Sequence, residues 1–147
     1  MNFGQAVTHV LGNATRFEGR ARRSEYWWWF LATSAVLLVT LLVDHVVFAQ
    51  WMWEHDLTLG PITLLAALAL LLPSVSVGCR RLHDTGLTGW LQLVQVVPVV
   101  GTPVLLALMA RRGTAGPNRY GPDPAVAAVP GAPLHTGYAD RPFAGRY

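Results

Sequence analysis

The chain has 147 residues, of which 52% are hydrophobic and only 13% are charged. This length allows a single domain, and the apolar content lies at the top of the range for soluble proteins. The 11 basic residues are all arginine and form short clusters beside apolar runs, whereas a nucleic-acid partner requires a basic stripe on a folded face. We therefore exclude nucleic acid. The single cysteine, Cys79, excludes an intramolecular disulfide and a cysteine-based zinc site.

Three apolar segments predict an all-α, multi-span membrane protein, because a helix of about 20 apolar residues crosses a bilayer core. We place these segments at residues 26–47, 60–79 and 90–110, within one helical membrane domain of residues 1–124. The first segment is too long for a signal-peptide core and is expected to remain as an uncleaved anchor. The remaining residues, 125–147, are rich in proline and small side chains without periodicity, which predicts a disordered tail.

Residues 1–12 form a predicted amphipathic helix. Its apolar residues recur at helical spacing, at Phe3, Ala6, Val7, Val10 and Leu11. Such a helix either lies in the membrane interface or packs against the transmembrane bundle, and the sequence leaves both arrangements open.

The distribution of arginine orients the first span. A basic cluster precedes its aromatic start, and consists of Arg16, Arg20, Arg22 and Arg23. The turn after the span, residues 50–57, has two tryptophans and two acidic residues but no arginine. Because basic residues stay on the cytoplasmic side, the N-terminus is predicted to be cytoplasmic. Asp44 and His45, near the far end of the span, are interpreted as the point where charge reaches water.

The third apolar segment is interrupted by Pro98, Gly101 and Pro103. These residues break a regular helix, so the segment is either a broken third span or a re-entrant hairpin. Its length of 20 residues slightly favours a complete span. The arginines that follow it, Arg111, Arg112 and Arg119, favour the hairpin, because a third crossing would place them outside.

The most charged short segment in the apolar half, residues 80–90, separates the second and third segments. Charges left unpaired at that depth would be costly. We therefore expect one interfacial charge network, formed by Arg20, Arg23, Glu25, Arg80, Arg81, His83 and Asp84. Trp90 is expected to anchor the next apolar run at the membrane interface.

Four motifs in order resemble a known family. They are FEGRARRSEYW at residues 17–27, PSVSVGCRRLHDTGLTGW at 73–90, PxxG at 98–101 and GPNRYGPDP at 116–124. On these motifs the chain resembles the bacterial inner-membrane family known as domain of unknown function 805. The positions that look like the family's pattern beyond the network are Tyr26, Gly89, Trp90, Asn118, Arg119, Tyr120 and Gly121. The resemblance implies a small multi-span protein of the bacterial plasma membrane with an undefined biochemical role, and it supplies no catalytic residue.

Three functions remain open. We favour a structural or interaction module whose basic cytoplasmic face binds anionic lipid or a protein partner. The alternative is a subunit of a small transporter or channel, with Gln92, Gln95 and Asp44 lining a path, which would require a homo-oligomer. The third is an enzyme that uses His83 with Asp84 or Glu25. No nucleophile motif, metal constellation or phosphate loop is present, so we expect no enzyme, no cofactor and no metal site.

Overall fold

The computed structural model describes residues 1–125, and this part of the chain is helical, without strands. Its elements are α1 (Phe3–Gly12), α2 (Arg23–Val47), α3 (Ala49–Glu54), α4 (Pro61–Asp84), a 310 helix (Gly89–Val96) and α5 (Pro98–Ala110). The predicted disordered tail, residues 125–147, lies outside the described residues except for Ala125.

Helices α2 and α4 form an antiparallel pair. They contain 25 and 24 residues, which at a rise of about 1.5 Å per residue gives a length of roughly 36 Å. Both are long and apolar enough to cross a membrane. Their outward faces carry exposed leucine and valine side chains, for example Leu38 and Leu65.

One end of this pair is joined by a side chain that caps the neighbouring helix. Asp44, near the end of α2, accepts hydrogen bonds from the backbone N–H groups of Ile62 (3.1 Å) and Thr63 (2.7 Å). The N-cap residue of α4 is Gly60, which has no side chain to perform this role. Asp44 is fully buried, so our interpretation of it as a point where charge reaches water is wrong. His45 beside it is exposed.

The third apolar segment turns back on itself. The 310 helix begins where Gly89 packs against the thiol of Cys79. Helix α5 ends where the backbone oxygen of Met109 accepts a 3.0 Å hydrogen bond from Arg81. Cys79 and Arg81 lie within one turn of α4. The two ends of the segment therefore lie beside the same part of that helix. Residues 89–110 are called the hairpin below.

This segment therefore folds as a hairpin beside α4 and not as one continuous helix, whereas its length alone slightly favoured a complete span. Helix α5 has 13 residues, about 20 Å, which is shorter than the bilayer core of roughly 30 Å. Gly101 lies so close to the backbone of Val94 that a Cβ atom there would overlap it. This close approach lets α5 pack along the 310 helix.

The core lies at the end of the α2–α4 pair that carries Arg80 to Asp84. Its buried apolar residues are Val10, Ala21, Tyr26, Trp29, Val77, Leu82, Leu105 and Met109. Helix α1 packs into this core with Ala6 and Val10, while Phe3 and Leu11 remain exposed. Of the two arrangements left open for α1, the structure has the one packed on the bundle.

Candidate functional site

Four segments meet at the end of α4. They are residues 13–22, the first turn of α2, the last turn of α4, and residues 111–125, which we call the exit segment. Backbone hydrogen bonds hold them together: Ala21 N–H donates to the Arg80 oxygen at 3.0 Å, and Thr114 N–H donates to the Asp84 oxygen at 2.8 Å. Ser76 also donates to the backbone oxygens of Asn13 and Arg16. The site is thus assembled from distant parts of the chain.

Asp84 lies at the centre of this assembly. Its Oδ1 pairs with Arg20, at 2.9 Å from Nε and 2.8 Å from Nη2, and its Oδ2 pairs with Arg81. All three side chains are buried, with Arg81 fully inaccessible. One carboxylate therefore neutralises parts of two buried guanidinium groups, which is the pairing that charges at this depth require.

The remaining donors of these two arginines bond to backbone oxygens. Arg81 donates to Met109 at 3.0 Å and to Arg111, both at the end of α5. Arg20 donates to the Thr114 and Gly116 oxygens, each at 2.6 Å. Together the arginines attach α5 and the exit segment to α4.

A second ion pair lies beside the first one. Arg80 Nη1 donates to Glu25 Oε1 at 2.8 Å, and His9 Nδ1 lies 3.0 Å from the same oxygen. Glu25 and Arg80 are buried, whereas the His9 side chain is about half exposed. The pair connects α1, α2 and α4. Within residues 1–125, Arg80 Nε and Nη2 have no hydrogen-bond partner.

The GPNRYGPDP motif forms a turn that packs on the end of α4. Asn118 and Gly121 exchange backbone hydrogen bonds of 3.0 Å, and the Asn118 side chain donates to the His83 oxygen at 2.9 Å. The Tyr120 ring stacks on the His83 ring, with centroids 3.8 Å apart, and Arg119 covers the Tyr120 ring. His83 also contacts the Gly19 oxygen through Nδ1 at 3.2 Å. Trp90 is 77% exposed, which suits a membrane interface.

An open pocket of about 410 Å³ lies between the first turn of α2 and the exit segment. We call it the arginine pocket. Its lining is Arg20, Arg22, Arg23, Ser24, Asp84, Arg112, Gly113, Thr114, Ala115, Asp123, Pro124 and Ala125. Arg22 donates to the Pro124 oxygen and, at 3.1 Å, to the Ala125 oxygen. Within residues 1–125, Arg22, Arg23 and Arg112 form no ion pair.

The structure thus brings together most of the predicted network, but as two groups. Arg20, Arg81 and Asp84 form one, and Glu25 and Arg80 form the other. Arg23 joins neither by an ion pair and instead lines the pocket. His83 packs on Tyr120 rather than pairing with a carboxylate.

Sequence reasoning missed the residues that complete the site. A Cβ at Gly113 would overlap the Asp84 carboxylate, and Thr114 bonds to the Asp84 backbone through both its N–H and its hydroxyl. Arg22 and Asp123 stand inside the family motifs, so the motifs were the available signal for them. Arg112 and Gly113 follow Ala110 and Arg111 at the end of the third apolar segment, where the sequence indicates the topology but no site.

The described residues contain no group of three His, Cys, Asp or Glu side chains that could hold a metal ion. Cys79 accepts a 2.8 Å hydrogen bond from Gln92, whose amide also donates to the Val75 oxygen. The polar side chains that line the arginine pocket are four arginines, two aspartates, Ser24 and Thr114. Guanidinium groups form charge-assisted hydrogen bonds with carboxylates and phosphates.

Comparison with known proteins places this arrangement in a family. Residues 14–122 match the model for Protein of unknown function (DUF805). The chain is 36% identical over 115 residues to the inner membrane protein YhaH of Escherichia coli strain K12, covering 78% of this chain and 92% of that protein. It is 38% identical over 115 residues to the inner membrane protein YhaI of the same strain, covering 78% and 91%.

No solved structure matches the chain. The relatives confirm the prediction of a helical protein of the bacterial inner membrane, and the family match confirms the resemblance read from the motifs. The chain belongs to the DUF805 family of proteins of unknown function.

Proposed function

We propose that this protein is a multi-pass, non-enzymatic module of the bacterial inner membrane whose basic cytoplasmic face binds anionic lipid headgroups. In this arrangement α2 and α4 cross the bilayer, the hairpin enters it from the cytoplasmic side, and the N-terminus is cytoplasmic. All arginines of residues 1–125 then lie on one side, as the positive-inside rule favours.

One observation carries the proposal. Arg22, Arg23 and Arg112 line a single pocket and have no carboxylate partner within residues 1–125. The nearby acids are engaged elsewhere, since Asp84 pairs with Arg20 and Arg81, and Glu25 pairs with Arg80. An arginine near an anionic membrane surface contributes about 1 kcal/mol of attraction. Three such residues at headgroup level suit lipid phosphate.

Aromatic side chains support the same depth in the membrane. Trp28 and Trp90 are exposed at this end of the molecule, and Phe3 of α1 packs edge to face on Trp28, with centroids 5.8 Å apart. Indole rings prefer the headgroup layer. With these rings at the boundary between the acyl chains and the headgroups, the arginine pocket lies at the level of the headgroups.

The two other functions have less support. Gln92 and Asp44, two of the three residues that would line a transport path, are engaged in hydrogen bonds within the chain. The third, Gln95, is exposed. His83, the candidate acid or base, has one face covered by Tyr120 and its Nδ1 at a backbone oxygen. Gln92, Asp44 and His83 therefore each have a structural role that accounts for their presence.

The topology is tested first, with a single cysteine at Gly137 in a Cys79→Ser background and a membrane-impermeant thiol reagent on intact cells. We expect protection in intact cells and labelling after permeabilisation. A matched cysteine at Thr58, in the turn between α3 and α4, is expected to be labelled in intact cells. Labelling of Gly137→Cys in intact cells would contradict the one-sided basic face.

Lipid binding is tested with the purified full chain in nanodiscs of phosphatidylcholine, with and without phosphatidylglycerol. We expect the anionic lipid to raise the melting temperature. The effect is expected to shrink in Arg23→Gln/Arg112→Gln and to persist in Arg16→Gln/Arg119→Gln, which removes the same charge outside the pocket. Equal melting in both lipids would overturn the proposal, and a soluble partner recovered instead by crosslinking would assign the face to a protein.

A further inference from the structure

We infer that the arginine pocket is a discrete receptor for one phosphomonoester group, the terminal phosphate of a lipid headgroup or free phosphate. The inference rests on the proposed function and makes it specific. A phosphodiester headgroup would be the weaker ligand. Three features of the pocket support this ligand: its charge, the two chain segments that supply its arginines, and the neutral acceptors that now hold Arg22.

The charge of the lining matches a dianion. Four arginines and two aspartates line the pocket, a net charge of +2. A phosphate monoester carries about −1.5 to −2 at pH 7 and offers three acceptor oxygens. A phosphodiester carries a single negative charge and has two free oxygens. Asp84 also pairs with Arg81, which lies outside the lining, so the positive charge of the pocket is at least +2. The monoester neutralises more of this charge than the diester does.

The donors reach the pocket from two separate segments. Arg22 directly precedes α2, Arg23 and Ser24 begin it, and Arg112 belongs to the exit segment. Arg20 forms a buried part of the lining and is only 1% exposed. Its position is fixed by Asp84 and by the Thr114 and Gly116 oxygens. Guanidinium groups from two chain segments suit a group with several acceptor oxygens, since each can form planar, bidentate contacts.

Neutral acceptors now hold Arg22, which unlike the buried Arg20 has no carboxylate partner within residues 1–125. Arg22 bonds to the Pro124 and Ala125 backbone oxygens. A hydrogen bond to an anionic oxygen is roughly twice as strong as one to a neutral acceptor, so phosphate can replace these contacts. The second carboxylate of the lining, Asp123, accepts from the N–H groups of Gly116 and Ala125. Both N–H groups belong to the exit segment, so Asp123 is held within that segment. It forms no ion pair with a pocket arginine within residues 1–125.

The test uses the full chain in nanodiscs of phosphatidylcholine that contain an equal small fraction of phosphatidic acid or phosphatidylglycerol. Native mass spectrometry measures the lipid retained by the protein. We expect phosphatidic acid to be retained in preference. Arg23→Gln/Arg112→Gln should weaken that retention about 30-fold, the product of two arginine contributions. Arg16→Gln/Arg119→Gln is the matched control and should retain the wild-type preference.

Unchanged melting of the double variant in pure phosphatidylcholine nanodiscs verifies its fold, as expected for two exposed side chains. Equal retention of the two anionic lipids would overturn the phosphomonoester site and leave the proposed function standing. If neither lipid were preferred to phosphatidylcholine, both would be wrong.

A second arm identifies the source of the phosphate. Inorganic phosphate is added to the protein in pure phosphatidylcholine nanodiscs, with chloride at equal ionic strength as the control. A rise in melting temperature that the Arg23→Gln/Arg112→Gln variant abolishes supports the site and assigns free phosphate as a ligand. Retention of phosphatidic acid without such a rise supports the site and assigns the lipid headgroup.

Discussion

The two ends of the α2–α4 pair each bury an aspartate, but they neutralise it differently. Asp84 is paired with two guanidinium groups, from Arg20 and Arg81, and these arginines also bond to five backbone oxygens of α5 and the exit segment. Asp44 accepts only the N–H groups of Ile62 and Thr63, at the start of α4. One aspartate organises four chain segments, whereas the other closes a single helix end.

The same geometry protects both carboxylates. Gly113 lies against Asp84 and Gly60 lies against Asp44, each so close that a Cβ atom would overlap the carboxyl group. The difference between the ends is thus one of charge and connectivity rather than of packing. It implies that loss of the negative charge is severe at Asp84 and mild at Asp44.

The largest expected effect is that of Asp84→Asn. The substitution keeps the size of the side chain but leaves Arg20 and Arg81 buried without a counter-charge. Removing one partner from a buried ion pair costs about 3–5 kcal/mol, so we expect a marked loss of folded protein in the membrane and of melting temperature in detergent. The exposed Asp56→Asn is the control and should melt like the wild type. An unchanged Asp84→Asn would show that the arginines are stabilised by the backbone oxygens alone.

Substitution of Gly113 and Gly60 by alanine tests the same comparison through packing. Gly113→Ala forces its Cβ into a carboxylate that two arginines hold in place, and such overpacking costs about 1–3 kcal/mol. Gly60→Ala meets Asp44 beside an exposed turn, which can shift, so we expect a smaller loss of melting temperature. Gly12→Ala, with no neighbouring atom near its Cβ, serves as the neutral control. A larger effect at Gly60 than at Gly113 would reverse the assignment of Asp84 as the organising residue.

The class of protein was predictable because composition and spacing determine it. Apolar segments of 20 residues beside arginine clusters indicate membrane helices without any tertiary information, and the motifs identified the family. The hairpin was only one of two alternatives, since the turn depends on the approach of Gly101 to the Val94 backbone. No one-dimensional pattern reports that contact.

The details of the site depend on contacts across long stretches of chain. Charge balance suggested that arginines of the N-terminal cluster meet the end of α4, but it did not assign partners. Arg81 donates to backbone oxygens 28 and 30 residues away, because the hairpin brings the end of α5 back beside the last turn of α4. Asp44 was misread for a similar reason: its position near a helix end suggested water, and only the folded pair shows that Gly60, the N-cap residue of α4, lies beside it.

The smallest expected effect completes the comparison at Asp44. Asp44→Asn keeps one oxygen, which can accept from Ile62 or Thr63, while its NH2 group replaces the oxygen that accepts from the other N–H group. One such hydrogen bond is what an asparagine cap normally provides, so we expect only a small fall in melting temperature. Asp44→Ala removes the cap and should lower the ratio of folded to unfolded protein about fivefold, the usual effect of losing one N-cap side chain. Thermal melting in detergent measures both. Because neither N–H group carries a full charge, an amide at position 44 loses one neutral hydrogen bond, whereas an amide at position 84 leaves two buried guanidinium groups without a counter-charge. If Asp44→Asn were as damaging as Asp84→Asn, the negative charge would be required at both ends, and the contrast between a capping aspartate and an organising aspartate would be wrong.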